Sequence, residues 1–174
     1  MGKSRFSESH GIVGAVIPVA SSYNTGFTGE SVNMGKYNHG TLILMGDAAI
    51  AGAGILTMMA GASNAAATAA ITFTYRYCTT DIMSTTADVY STPTTSAALT
   101  LTEAYMLSGT YVIEWDTEDM NVSGVQYNWI TPVLDATGTA GFVVGVMILS
   151  EPRYQQAIMP TAVEIGRASC RERV

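Results

Sequence analysis

Apolar and polar residues alternate most cleanly over residues 71–77. Ile71, Phe73, Tyr75 and Tyr77 take one face, and Thr72, Thr74 and Arg76 the other. A period of two built from β-branched and aromatic residues predicts a half-covered strand. Residues 111–115 repeat the pattern, with Tyr111, Ile113 and Trp115 opposite Val112 and Glu114. Shorter runs predict strands over 41–45, 54–60 and 97–102. Residues 126–134 also read as a strand, and Pro132 inside it, lacking an N–H, places that strand near a sheet edge. Residues 142–149 are apolar on both alternating faces, which predicts a central strand covered on both sides.

The segments between these runs are turn-like. Gly46-Asp47 ends the 41–45 run. The Ala-rich stretch 64–70 has helical propensity but is too short to stand as a helix. Residues 81–95 are rich in Thr and Ser and predict a long loop with a short strand near Val89, while 116–120 can form a single helical turn. No long helical period and no internal repeat occur. The expected fold is therefore an all-β antiparallel sandwich of about eight strands, jelly-roll-like.

Residues 1–36 differ from the rest. They are rich in Gly, Ser and Asn around one apolar island, 12–20, and predict an extended N-terminal arm with at most one strand. The sandwich body is expected over 37–163. Residues 164–174, EIGRASCRERV, hold three of the eight basic residues and resemble a translated sequencing adapter, so this tail is expected to be non-native. Setting aside Arg167, Arg171, Arg173, Glu164 and Glu172 leaves five basic and twelve acidic residues, and Cys78 as the single cysteine. One cysteine cannot build a disulfide framework.

Charge narrows the range of partners. Only 13% of residues are charged and 48% are hydrophobic, so the surface must be built from Thr, Ser, Asn, Gly and Ala. Such a surface suits a protein packed against neighbours. The few basic residues form no stripe able to neutralise phosphates, which argues against nucleic acid. Residues 42–62 have membrane-spanning length, but Asp47 and four glycines interrupt them, so two strands with a tight connection fit better than a span. Lys3 and Arg5 before an apolar run outline a signal peptide weakly, and Glu8, His10 and Pro18 oppose it.

Candidate chemistry is sparse. His10 and His39 have no Cys or His at metal-ligand spacing, and no nucleophile elbow or phosphate loop is present. The expectation is a protein that is not an enzyme and carries no cofactor. Asp116, Glu118 and Asp119 are the weak candidates for a cation, because carboxylates clustered on a turn supply the oxygen ligands that calcium takes. Their spacing matches no calcium loop, and the plainer reading is a solvated turn. Tyr23, Phe27, Tyr37, Arg153 and Tyr154 are the candidate interface residues. Aromatic rings and arginine suit protein contacts because they bury apolar area and keep a polar end.

Thr110-Tyr111-Val112-Ile113-Glu114-Trp115-Asp116-Thr117-Glu118-Asp119 and the segment that begins Glu151-Pro152-Arg153-Tyr154, together with the strands at 52–57 and 70–76, resemble bacteriophage virion structural proteins. They are similar to jelly-roll capsid decoration, or cement, proteins, and the likeness runs over residues 37–162. The resemblance implies a protein on the capsid exterior that binds the major capsid protein, as a homotrimer, and clamps the expanded lattice. The competing readings are a head-fibre or tail component, and a secreted carbohydrate-binding sandwich that presents Trp115 and Trp129 as an aromatic platform.

Overall fold

A computed structural model of the chain describes residues 6–18, 22–80, 87–135 and 140–153. In chain order the elements are α1 (Phe6–Ser9), β1 (Gly11–Val16), α2 (Ser22–Thr25), β2 (Phe27–Thr28), β3 (Val32–Asn33), β4 (Tyr37–Gly46), β5 (Ala53–Gly61), β6 (Ala69–Ala70) and β7 (Phe73–Tyr77). They continue with β8 (Thr94–Ser96), β9 (Leu99–Thr102), α3 (Glu103–Met106), β10 (Thr110–Asp116), β11 (Asn121–Val122), β12 (Val125–Gln126), β13 (Trp129–Asp135) and β14 (Val143–Pro152). Among the described residues no helix is long and apolar enough to cross a membrane. The apolar stretch 42–62 resolves into the end of β4, a turn, and β5.

The strands form two antiparallel sheets that close on one core. The first runs β1-β14-β4-β10-β7-β8. The second has β13 and β5 at its centre, with β2 and β3 along one side of β13 and β6 and β9 along one side of β5. Count β2 and β3 as one broken strand and leave out β6 to β8 and the small β11–β12 hairpin, and eight strands remain. Their order is then 1-8-3-6 in the first sheet and 2-7-4-5 in the second. That order is the double Greek key of a jelly roll. The excursion between the fourth and fifth strands adds β7 and β8 to widen the first sheet.

Inward residues follow the alternation read from the sequence. Leu42 and Leu44 of β4, Ile113 and Trp115 of β10, Val143, Met147 and Leu149 of β14, and Leu56, Met58 and Ile130 from the second sheet are all buried in one cluster. Trp115 lies directly opposite Gly40. A Cβ on Gly40 would sit 2.3 Å from the Trp115 ring, so only glycine lets the indole lie across that strand. The β11–β12 hairpin turns at Ser123 and Gly124, with φ of 54° and 81°. Two successive positive φ values are what a tight two-residue hairpin requires.

Residues 1–36, expected as an extended arm, form where described two short helical turns and three strands, and they pack into the sandwich instead of projecting from it. Strand β1 pairs with β14 from Gly11↔Leu149 to Val16↔Gly145. β2 and β3 pair with β13. Tyr23, Val32 and Met34 are all within the core cluster. The segment thus supplies the first two of the eight strands, and the body begins before residue 37.

Strand β13 is internal, against the edge position that Pro132 suggested. β5 pairs with it over its whole length, Pro132 facing Met58. On its other side β3 pairs at Trp129–Ile130 and β2 at Val133–Leu134, leaving a gap at the proline. The Gly29 N–H donates to the Pro132 carbonyl across that gap at 2.8 Å. Carbonyl and amide of one strand residue point the same way, so the missing N–H faces a turn and breaks no ladder bond.

Candidate protein-binding face

The outward residues of the first sheet form an aliphatic field. Strand β14 contributes Val144, Val146 and Ile148, and β4 contributes Ile43 and Met45. Register aligns them into rows across the sheet. Ile12 of β1 sits beside Ile148, which sits beside Thr41. Gly14, Val146, Ile43, Val112 and Arg76 form the next row, and Val144 pairs with Met45 in the third. Ile12 is 54% exposed and Met45 38%, while Val144, Val146, Ile148, Ile43 and Val112 are half-buried by their own neighbours. Beyond the Met45 end, Leu107 and Phe142 are also exposed.

Strand β14 is central, as its two-sided apolarity predicted, but only its inner face is covered. In an antiparallel sheet the solvated face normally carries polar residues. Here the outer face of the central strands carries valine and isoleucine.

Charge gathers at the opposite end of this field. The His39 Nδ1–H donates to Asp116 Oδ1 at 2.8 Å, and Nε2 lies 3.3 Å from the Thr41 hydroxyl and 3.8 Å from Glu114 Oε1. Register puts these groups together, because His39 pairs with Asp116 on one side and Ser150 on the other. Arg76, exposed, flanks the middle row.

The second sheet presents a different surface. Thr28, Val133 and Thr57 make one outward row, and Asp135, Ile55 and Thr100 another. Thr131 points outward too, yet it is fully buried. Its hydroxyl bonds to the Ser31 hydroxyl, and Ser31 in turn accepts the Ala65 N–H at 3.0 Å. The chain folds over this part of its own sheet.

Of the candidate interface residues, Tyr23 is a core residue. It is 0% exposed, its hydroxyl donates to the Leu101 carbonyl at 2.7 Å, and it accepts the Gly54 N–H at 3.1 Å. Burial raises its pKa, with the Gly54 N–H opposing. Nothing periodic surrounds Tyr23 in the sequence, so its burial left no pattern to read. Phe27 and Tyr37 are half-buried against the core, and burial raises the Tyr37 pKa as well. Arg153 is exposed, with Nε donating to Asn38 Oδ1 at 2.8 Å. Tyr37 pairs with Pro152, so Tyr37 and Arg153 lie at the charged end of the first sheet. Tyr154, and the tail 164–174, lie outside the described residues.

The weak cation candidates do not converge. Asp116 turns to His39, while Asp119 Oδ2 accepts the Asp116 N–H at 2.8 Å. Residues 116–121 wind through successive i to i+3 bonds, the single turn expected from the sequence. Among the described residues no group of three or more His, Cys, Asp or Glu side chains is placed to hold a metal. A groove of about 460 Å³ lies between β1 and the Gly26–Glu30 segment. Backbone and small side chains such as Gly14, Ala15 and Ser22 line it, and Glu30 is its one described acid.

The sequence matches no protein-family model and no curated protein.

Proposed function

We propose that this chain is a structural binding protein of a bacteriophage virion that packs against the outside of the capsid lattice. The observation that carries the reading is the surface of the jelly roll. Both sheets present broad outward rows of Thr, Val, Ile and Gly, with charge confined to the ends and one flank. Surfaces depleted of charge at their centre suit extended protein contacts. The choice of capsid as partner comes from the likeness of residues 110–119 and of the segment starting at Glu151 to decoration proteins.

The mechanism is linkage. A ligand that binds the assembled lattice and not its free subunits stabilises the lattice by mass action. An oligomer gains further, because several contacts engage at once. The test is co-sedimentation with assembled, expanded shells and with free subunits of the major capsid protein encoded beside it. Binding to shells alone, with a raised shell melting temperature, is the expected result. Equal binding to free subunits, or none to shells, overturns it.

The carbohydrate-binding reading required Trp115 and Trp129 side by side on an exposed face. Trp115 is 1% exposed and points into the core, and Trp129 is 9% exposed. These two residues make no platform. A head-fibre or tail position fits the same surface, and virion imaging separates it from the capsid exterior.

A further inference from the structure

We infer that the aliphatic outer face of the first sheet is a self-association surface, covered by the same face of a second copy of this chain. The inference does not depend on the capsid reading. Strand β14 is apolar on both sides, the pattern of a strand with both faces buried. Its inner face meets the core, and on the outer face Val144, Val146 and Ile148 stay partly exposed. The second sheet shows the contrast, since there Ser31 and Ala65 close over Thr131.

Composition selects the kind of partner. Ile12, Ile43, Val112, Val144, Val146 and Ile148 are branched aliphatic residues on a pleated surface. No Tyr or Trp stands among them, although Tyr, Trp and Arg are the anchors of transient interfaces. Permanent self-contacts look instead like a core cut in half. The surface that fits a flat aliphatic sheet best is another such sheet, packed about 10 Å away. Four strands about 4.8 Å apart and three row steps of about 6.7 Å make a face of roughly 400 Å². That is half of the roughly 800 Å² per partner in a standard interface. The exposed Leu107 and Phe142 extend it at the Met45 end.

Charge fixes the arrangement. The acids Glu114 and Asp116 lie at one end, so two copies with parallel strands would set acid over acid. A two-fold axis crossing the strands between the Thr41 and Ile43 rows reverses one copy. Each His39–Asp116 row then covers the uncharged Val144–Met45–Thr110 row of its partner. Arg76, beside the Ile43 row, comes to face Thr74 and its neighbour Glu114 of the other copy. The contact is isologous, so this pairing occurs twice.

Sedimentation velocity of the full chain from 1 to about 100 µM tests the proposal. The wild type is expected above the 18.3 kDa of one chain. Changing Ile43→Lys and Val146→Lys together should weaken association at least about 30-fold with the β-sheet circular dichroism intact. The control pair Thr57→Lys and Thr100→Lys on the second sheet should leave it unchanged. Should the first pair misfold, the flank still reads the geometry. Arg76→Glu alone should weaken association, and Arg76→Glu with Glu114→Arg should restore it. A monomeric wild type at the highest concentration overturns the inference. So does an oligomer that survives the lysine pair in a folded protein, or charge variants that change nothing.

Discussion

Val146 and Thr131 occupy matching places, each an outward residue in the middle of a strand near the centre of its sheet. Their surroundings are opposite. Thr131 is fully buried because Ser31 and the segment at Ala65 fold over it and satisfy its hydroxyl. Val146 is flanked by Gly14 and Ile43 of its own sheet and stays partly exposed. A polar residue is covered by the chain, and an apolar one is left for something else to cover. Outward polarity alone therefore does not reveal which face a protein closes for itself. The residue types follow the final environment, and for the first sheet the proposed second copy would complete it.

The comparison can be tested by substitution. Thr131→Lys should cost about 3–5 kcal/mol, since it buries a charge with no partner, as a denaturant titration would show. Val146→Lys should cost less than about 1 kcal/mol in the isolated chain and act on association instead. Equal losses of stability at the two sites would erase the distinction. Tyr23→Phe should destabilise by about 1–3 kcal/mol, because it leaves the Leu101 carbonyl and the Gly54 N–H without their partner. Ser31→Ala removes the hydroxyl over Thr131 and should cost about 1 kcal/mol, with faster amide exchange at Ala65.

The pH profile gives the smallest effect. Burial holds the pKa values of Tyr23 and Tyr111 above the ordinary tyrosine value of 10.0. The unfolded chain then loses these protons first as pH rises. Stability should be unaffected by the two groups below about pH 10 and fall above it, as denaturation midpoints at pH 8, 10 and 11 would reveal. Tyr23→Phe should flatten that fall.

Much of the sandwich was legible because its inner face obeys strict alternation, as at Tyr111, Ile113 and Trp115. The second strand was not, and the first, at the apolar island, was read as part of an arm. Residues 21–34 hold glycines and polar residues at most positions and enter the core chiefly through Tyr23, Val32 and Met34. Three burials spread over a dozen residues leave no period. Pro132 misled for a different reason. Its penalty applies only where the absent N–H faces a ladder, and the break between β2 and β3 is visible only in three dimensions. The candidate face was half legible: the two-sided apolarity of residues 142–149 marked β14 as covered on both sides. Ile12 and Val112 joined it through register, which no local pattern states.

The pairing of Gly11 with Leu149 has a consequence for synthesis. The first sheet places its last strand between its first and its third, so β1 and β4 have no common neighbour until residue 149 has left the ribosome. At 5–20 residues per second, the interval between translating the two ends of that pair is about 7–28 s. Until then Leu42 and Leu44 stand on a strand with at least one open edge, while contacts within the second sheet can form earlier. Closure then depends on contacts of high sequence separation, which form slowly. Copies made side by side on one message would present their unfinished first sheets to each other before either has closed.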